Sequence, residues 1–261
     1  MEILSLPDEH KQLFFCCLED WSEEATKEAG NRRESWYEKM KAQGLRVLLA
    51  KDDRGEVGGM IQYVPIEHSV VDGKDLYFIY CIWVHGHKQG RGDFRKRGMG
   101  KALLHAAEKD AQELGAKGIA AWGLWLPFWM RASWFSKQGY VKADRRGVAV
   151  LLWKPFVAGA TPPRWYRNER KPQPVPGKVA VTAFVNGWCM AQNLAYERAK
   201  RAAAEFGDKV VFREIDTLQR PAMLEWGHAD ALFIDDRQVS TGPPPSCEKI
   251  RKLIAKRVGK L

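Results

Sequence analysis

The sequence predicts an α/β protein of two domains, on three observations. Residues Asp75–Val84 read DLYFIYCIWV, a nearly unbroken apolar, β-branched and aromatic run such as a strand buried on both faces requires. A loop rich in glycine and cations follows it. Then come a helical pattern over Gly100–Leu114 and a second strand at Gly118–Leu124, a strand–helix–strand unit. Finally, residues 157–177 hold five prolines and no apolar periodicity, and a fresh α/β pattern opens just after them. The expected division is a first domain over 1–156, a linker over 157–177 and a second domain over 178–261.

In chain order, Asp8–Ser22 and Glu23–Gln43 have helical apolar spacing, with Gly44 as a stop. Leu45–Ala50 and Val57–Val64 form a hairpin across the turn Asp52–Gly55. After the central strand, helix 100–114 owes its apolar stripe to Ala102, Leu103, Leu104, Ala107 and Ala111. A short helix is expected over Phe128–Lys137, ended by Gly139, and strands over Tyr140–Lys142 and Val148–Trp153. The second domain reads β-α-β-α-β-β-α, from Val179–Val185 through the long helix 189–206 to a final helix at Ser246–Val258.

Hydrophobic content of 45% supports real cores and excludes a disordered chain. No apolar run is long enough to span a membrane, and the first residues lack the pattern of a secretory signal. Five cysteines in no framework spacing indicate reduced thiols and a cytoplasmic location, without a disulfide scaffold or a metal site. The net charge of +10 gathers between about Lys88 and Lys178, a field that attracts anions. No recognition helix or aromatic RNA-binding motif accompanies it, so nucleic acid is not the expected partner.

The chemistry concentrates in Arg95-Lys96-Arg97-Gly98-Met99-Gly100-Lys101, between the central strand and the helix. Glycines let the backbone approach a ligand closely, the helix start offers free N–H groups, and the cations suit a diphosphate. The segment resembles the [QR]-x-x-G-x-[GA] signature of the GNAT N-acetyltransferases, with Arg95, Gly98 and Gly100 at its defined positions. Ile82-Trp83-Val84 resembles that family's pantetheine-pairing strand end, and Trp134–Tyr140 its second turn, aromatic-x-x-x-G-[FY]. The resemblance covers roughly residues 1–156. It implies the GNAT acyl-CoA N-acyltransferase fold, a mixed central sheet with flanking helices, and acetyl-CoA as cosubstrate. The implied reaction is direct transfer of an acetyl group to a primary amine, with a small molecule favoured as acceptor.

That reaction needs a base, an oxyanion donor and a proton for the leaving thiolate. The resemblance places the oxyanion donor at a backbone N–H near Ile82. Where the family commonly has a proton-donating tyrosine, four before Gly139, this chain has Phe135. Either the thiolate leaves unassisted or another group supplies the proton. Tyr80, expected to share a face with Ile82, and Glu67 and His68, in the loop before the strand, are the catalytic candidates; His85 and His87 are weaker ones. Tyr77, Trp125, Phe128, Trp129 and Phe135 are the expected lining of an aromatic substrate pocket. An acetyl-CoA sensor without turnover is the alternative, consistent with Phe135.

The second domain's element order and its Asn186-Gly-Trp-Cys189 segment resemble the thioredoxin-like fold, and the pairing of domains resembles YoaP-like proteins. Cys189 opens a helix, where a thiol's pKa falls, but Gln192 stands where a second cysteine would be. A monothiol redox role for Cys189 and a docking or homodimerising role for the domain are the two expectations.

Overall fold

The computed structural model describes residues 1–126, 130–167, 170–239 and 244–261. The expected pocket residues Phe128 and Trp129 therefore lie outside the described residues. Elements run β1 (Glu2–Ser5), α1 (Lys11–Phe15), α2 (Glu23–Ala29), α3 (Arg32–Lys41), β2 (Arg46–Lys51), β3 (Val57–Pro65), β4 (Val71–Asp72) and β5 (Leu76–Val84). They continue with α4 (Met99–Glu113), β6 (Gly118–Leu124), α5 (Ala132–Ser136), β7 (Val141–Arg146), β8 (Ala149–Pro155) and β9 (Arg164–Trp165). Last come β10 (Val179–Val185), α6 (Met190–Ala204), β11 (Val210–Asp216), α7 (Arg220–Trp226), β12 (Ala231–Ile234), β13 (Arg237–Gln238) and α8 (Cys247–Val258).

The chain divides into two compact units, Met1–Asp20 with Tyr37–Tyr166, and Trp21–Trp36 with Arg167–Leu261. The break falls inside the stretch expected to be linker, and residues 21–36, expected in the first domain, group with the second unit. The proline-rich segment is docked along part of its length. Arg164–Trp165 pairs with Val71–Asp72, Trp165 is buried, and its N–H donates to Asp144 at 2.9 Å.

In the first unit seven of the described strands form a sheet of order β1-β2-β3-β5-β6-β8-β7, and β4 and β9 pair separately. Only β5 and β6 run parallel, because helix α4 carries the chain across between them; the other pairings are antiparallel. Helix α4 presses Leu103, Leu104, Ala107 and Ala111 onto Ile61, Ile79 and Ala121 of the sheet. Burying each leucine contributes about 1.5–3 kcal/mol. On the same face Arg46 forms a two-pronged pair with Asp110 (2.9 and 2.6 Å), which also accepts from the buried Tyr63 hydroxyl at 2.5 Å. Burial and this carboxylate push the Tyr63 pKa well above the usual phenol range.

The first expected helix is a 3-10 turn at Asp8–His10 and a single helical stretch, ended where Cys17 and Leu18 both take positive φ (56° and 59°). The second breaks into α2 and α3 at Gly30, φ +62°. Strand β1 was not legible, being four residues of which none is buried.

From Val179 on, the second unit has the expected β-α-β-α-β-β-α order, on a four-stranded sheet β11-β10-β12-β13, and it includes α2 as well. Strand β10 is buried along its whole length, parallel to β11 and antiparallel to β12. Among the described residues no helix is long and apolar enough to cross a membrane.

Candidate functional site

The site starts from a split in the sheet. Strands β5 and β6 pair only over Leu76–Ile79 with Gly118–Ala121, yet β5 runs on to Val84 and β6 to Leu124. Beyond Ile79 the two part, and the β6 backbone ladder no longer extends along Tyr80–Val84. At the vertex the Trp122 indole N–H reaches across to the Tyr80 carbonyl at 2.8 Å.

A β-bulge sits at the same place. Cys81 faces Gln62 and Ile79 faces Tyr63, so Tyr80 is an extra residue in β5. The bulge resets the alternation of side chains. Tyr77 and Ile79 before it, and Ile82 and Val84 after it, all pack on the α4 side. Tyr80 instead meets Phe78 edge-on (ring centroids 5.3 Å), and its hydroxyl donates to the His68 carbonyl at 3.0 Å. Tyr80 thus does not share a face with Ile82, because the simple period of two fails across a bulge. The catalytic candidates Tyr80 and His68 do meet, but through the backbone of His68. Glu67 is exposed in the 3-10 turn Ile66–His68.

The open edge leads to the glycine turn. Gly98 caps α4 in the left-handed conformation (φ +86°), and α4 then runs fifteen residues. The first N–H groups of such a helix have no partner within it and point outward with the positive end of its dipole. A Cβ at Gly100 would make only ordinary contacts, 3.5 Å from Trp134 and 3.6 Å from Val84. Arg95 is held by Asp93 through two oxygens (2.9 and 2.7 Å), which holds the Asp93 carboxyl well below its usual range. Arg97 lies 3.6 Å from Asp52 and over the Phe94 ring. Lys96 and Lys101 are exposed at the same turn.

Of the expected aromatic pocket, Tyr77, Trp125 and Phe135 are among the described residues. Phe135, 1% exposed, is core, wedged edge-on between Trp134 (5.0 Å) and Tyr140 (5.5 Å), and does not line a pocket. Trp134, read from the sequence as the start of the second turn, is the aromatic next to the glycine turn, 3.5 Å from where a Cβ at Gly100 would sit. Trp125 is 67% exposed beside Arg145. Tyr77 is half-buried, edge-on to Tyr63, and burial raises its hydroxyl pKa.

Sequence reasoning also missed Glu19. The two positive-φ residues Cys17 and Leu18 turn the chain so that Leu18 is fully buried and Glu19 meets the end of β5. Such conformations cost about 1–2 kcal/mol each in a non-glycine residue. Glu19 Oε1 accepts from the Trp83 indole at 2.9 Å, while Oε2 lies 3.6 Å from His85 Nε2 and 3.9 Å from His87 Nε2. His85 is buried, with Nδ1 2.6 Å from the Gly92 carbonyl. Next door Asp20 accepts from the Arg91 N–H at 3.0 Å and fills the space a side chain at Gly90 would need. The signal for Glu19 is purely tertiary; nothing local marks it.

In the second unit Cys189 is half-buried and is the N-cap of α6. The turn before it is lashed down: Asp230 accepts from the Asn186 N–H (3.0 Å), Asn193 donates to Gly187 O (3.2 Å), and buried Arg33 donates to Trp188 O. Burial pushes the Asp230 carboxyl up to about 7. Among the described residues no trio of His, Cys, Asp or Glu is arranged to hold a metal ion.

Residues 8–125 match the family described as Acetyltransferase (GNAT) family. No curated protein matches the chain. Similar solved structures include the GNAT family N-acetyltransferase YhbS of Escherichia coli in complex with CoA, at 15% identity, TM-score 0.44, over 63% of this chain and 88% of that one. A GNAT family acetyltransferase of Brucella melitensis in complex with acetyl-CoA is 17% identical, TM-score 0.40, over 62% and 90%. A ribosomal-protein-alanine N-acetyltransferase from the same organism is 15% identical, TM-score 0.43, over 60% and 100%. The family match therefore falls on the α1–β6 stretch that contains both the split sheet and the glycine turn, on a mixed sheet with flanking helices.

Proposed function

We propose that the first unit is an acetyl-CoA-dependent N-acetyltransferase that transfers an acetyl group to a primary amine by direct attack. The observation that carries this reading is that β5 runs on past its pairing with β6 through Ile82–Val84, and that Val84 lies beside Gly100 at the start of α4, just after the left-handed Gly98 turn. An acyl-carrying pantetheine arm needs such an unpaired strand edge, and a diphosphate needs such a turn. The residues fit both demands, and a GNAT family match spans them.

Backbone groups of Ile82–Val84 would pair with the arm. The N–H groups of Met99, Gly100 and Lys101, with Lys96, would hold the phosphates, while Asp93 and Asp52 partly neutralise Arg95 and Arg97. When bound, the cosubstrate supplies an activated thioester. The N–H near Ile82 stabilises negative charge developing on its carbonyl oxygen. With Phe135 buried, no tyrosine four before Gly139 can donate to the leaving sulfur. A thiolate is a good enough leaving group to depart without one, since its pKa lies far below that of an alkoxide. The second unit, thioredoxin-like in element order, presents Cys189 as a single helix-capping thiol with a separate role.

Calorimetry with CoA, followed by thiol release from acetyl-CoA on mixing with an amine panel, tests the reading. Binding with amine-dependent thiol release supports it. Binding without release on any amine supports a sensor, with which Phe135 is also consistent, and no binding overturns both.

A further inference from the structure

Resting on the acetyltransferase reading, we infer that Trp122 limits the length of the acyl group the donor can carry. Its indole closes the vertex between β5 and β6, admitting an acetyl group and turning away longer chains. Trp122 is the residue of β6 just past Ala121, the last that pairs with β5. There its indole N–H crosses to the Tyr80 carbonyl at 2.8 Å, so the ring lies across the point where the strands part. That bond fixes one edge of the ring on the backbone of the β5 bulge.

The apolar residues around the vertex share a pattern. Ile82 and Val84 on β5, Trp122 on β6 and Trp134 on α5 all pack against the cluster beneath α4, yet all four stay half-buried. Ile79 and Ala121, the last pair before the vertex, are fully buried. Past the vertex the strands therefore carry apolar surface that is partly open, which suits the hydrocarbon of an acyl group and its carrier.

Order along β5 gives the length limit. A Cβ at Gly100 would come within 3.6 Å of Val84 Cγ2, so the phosphate end of the donor belongs at Val84. The arm then runs back along β5 and brings the thioester carbonyl to the N–H near Ile82, with the acyl chain pointing on towards Tyr80. Two residues of strand separate Ile82 from Tyr80, about 6.6 Å. Van der Waals contact with the Tyr80 carbonyl and the indole takes up about 3.5–4.0 Å of that, which leaves about 3 Å beyond the carbonyl carbon. A methyl group, one bond of about 1.5 Å away, fits, whereas an extended chain of three or more further carbons does not.

The test is calorimetry of the full chain with CoA, acetyl-CoA, butyryl-CoA and hexanoyl-CoA, which needs no acceptor amine. The parent should bind CoA and acetyl-CoA alike, and hexanoyl-CoA about tenfold or more weakly. Trp122→Leu shortens the stop and should raise hexanoyl-CoA affinity to that of acetyl-CoA. Replacing a residue that only holds the fold would not produce such a gain. Trp122→Phe keeps a ring but releases the Tyr80 carbonyl; it is the milder change where the leucine variant does not fold, and should admit butyryl-CoA. With the tryptophans labelled with 15N, acetyl-CoA should shift the indole resonance that Trp122→Phe lacks, beyond any shift caused by CoA. Equal affinity of the parent for acetyl-CoA and hexanoyl-CoA, unchanged discrimination in the folded variants, or a Trp122 indole that does not respond to the acetyl group would each overturn the assignment. CoA binding, and the acetyltransferase reading with it, would still stand in those cases. No heat with CoA or any of its thioesters would instead overturn that reading.

Discussion

Gly98 is the residue at which the cradle can be broken without breaking the fold. Its φ of +86° lies in the left-handed region, where a β-carbon costs an ordinary residue about 1–2 kcal/mol. Sterically the position is open: an added Cβ meets nothing closer than Met1 Cε at 3.9 Å. Gly98→Val should therefore lower unfolding free energy by no more than that backbone penalty, read from urea melts. If the turn escapes the strain by leaving the left-handed region, the N–H groups after it no longer converge. Each charge-assisted bond lost from a phosphate is worth about 1.5–3 kcal/mol, so CoA affinity should fall at least tenfold per bond. Gly98→Asn supplies the control, since asparagine visits this conformation more readily, and should bind CoA more tightly than the valine variant. Calorimetry on all three proteins decides the matter. Folded Gly98→Val binding CoA as the parent does would refute the cradle.

Three further outcomes are expected. Asp110→Ala, which strips Arg46 and the buried Tyr63 hydroxyl of their acceptor, should cost about 1–3 kcal/mol in urea unfolding. Gly187→Ala should destabilise the second unit selectively, since φ there is +100° and the new Cβ would sit 3.0 Å from Arg32 O and 3.1 Å from Trp36 Cβ; hydrogen exchange in β10 and α6 reads this. The raised Asp230 pKa, about 7 folded against an ordinary 3.8, makes the folded state the stronger proton binder. Stability of the second unit should then be greatest below about pH 4 as far as this group is concerned, and fall by a few kcal/mol as pH rises from about 4 to about 7. Asp230→Asn keeps an acceptor for Asn186 and should flatten that slope, measured by melts at pH 4.5 and 7.5.

What the sequence made legible follows from where local physics suffices. Continuous apolar runs fixed β5, β6 and β10 to within a residue or so, and the stripe Leu103–Leu104–Ala107–Ala111 fixed α4, because these patterns persist over many residues. Glycine turns likewise marked Gly98 and Gly139 by a requirement of the backbone alone. The N-terminal helices were misjudged in extent, since Cys17 and Leu18 end α1 with conformations no propensity anticipates; burial of Leu18 sustains them. Phe135 was read as pocket lining for a similar reason: an aromatic next to a glycine turn looks alike in sequence whether it faces a ligand or fills the core. Grouping of residues 21–36 with the second unit rests on pairs such as Glu28 with Arg198 and Arg32 with Glu197, some 170 residues apart, which no local window contains.

The bulge at Tyr80 shows why the site was harder to read than the fold. Unbroken alternation would put Tyr80 with Ile82 and Val84 on one face and offer a tyrosine to the reacting centre. One inserted residue reverses that, and sends Tyr80 to pair with Phe78 and the His68 carbonyl. It also sorts the strand's last residues. Ile82 and Val84 join the apolar α4 side next to the Gly98 turn, while Trp83 and His85 turn to Glu19 on the other side. On the proposed reading, the acyl carrier lies along β5 past Ile79, on the stretch Ile82–Val84 where the β6 ladder has ended. A register slip that removed the bulge, for instance by deleting Tyr80, should therefore abolish transfer more completely than any substitution of Tyr80, whose hydroxyl only braces a loop. Phe at position 80 retaining turnover, with the deletion inactive, is the pattern this geometry requires.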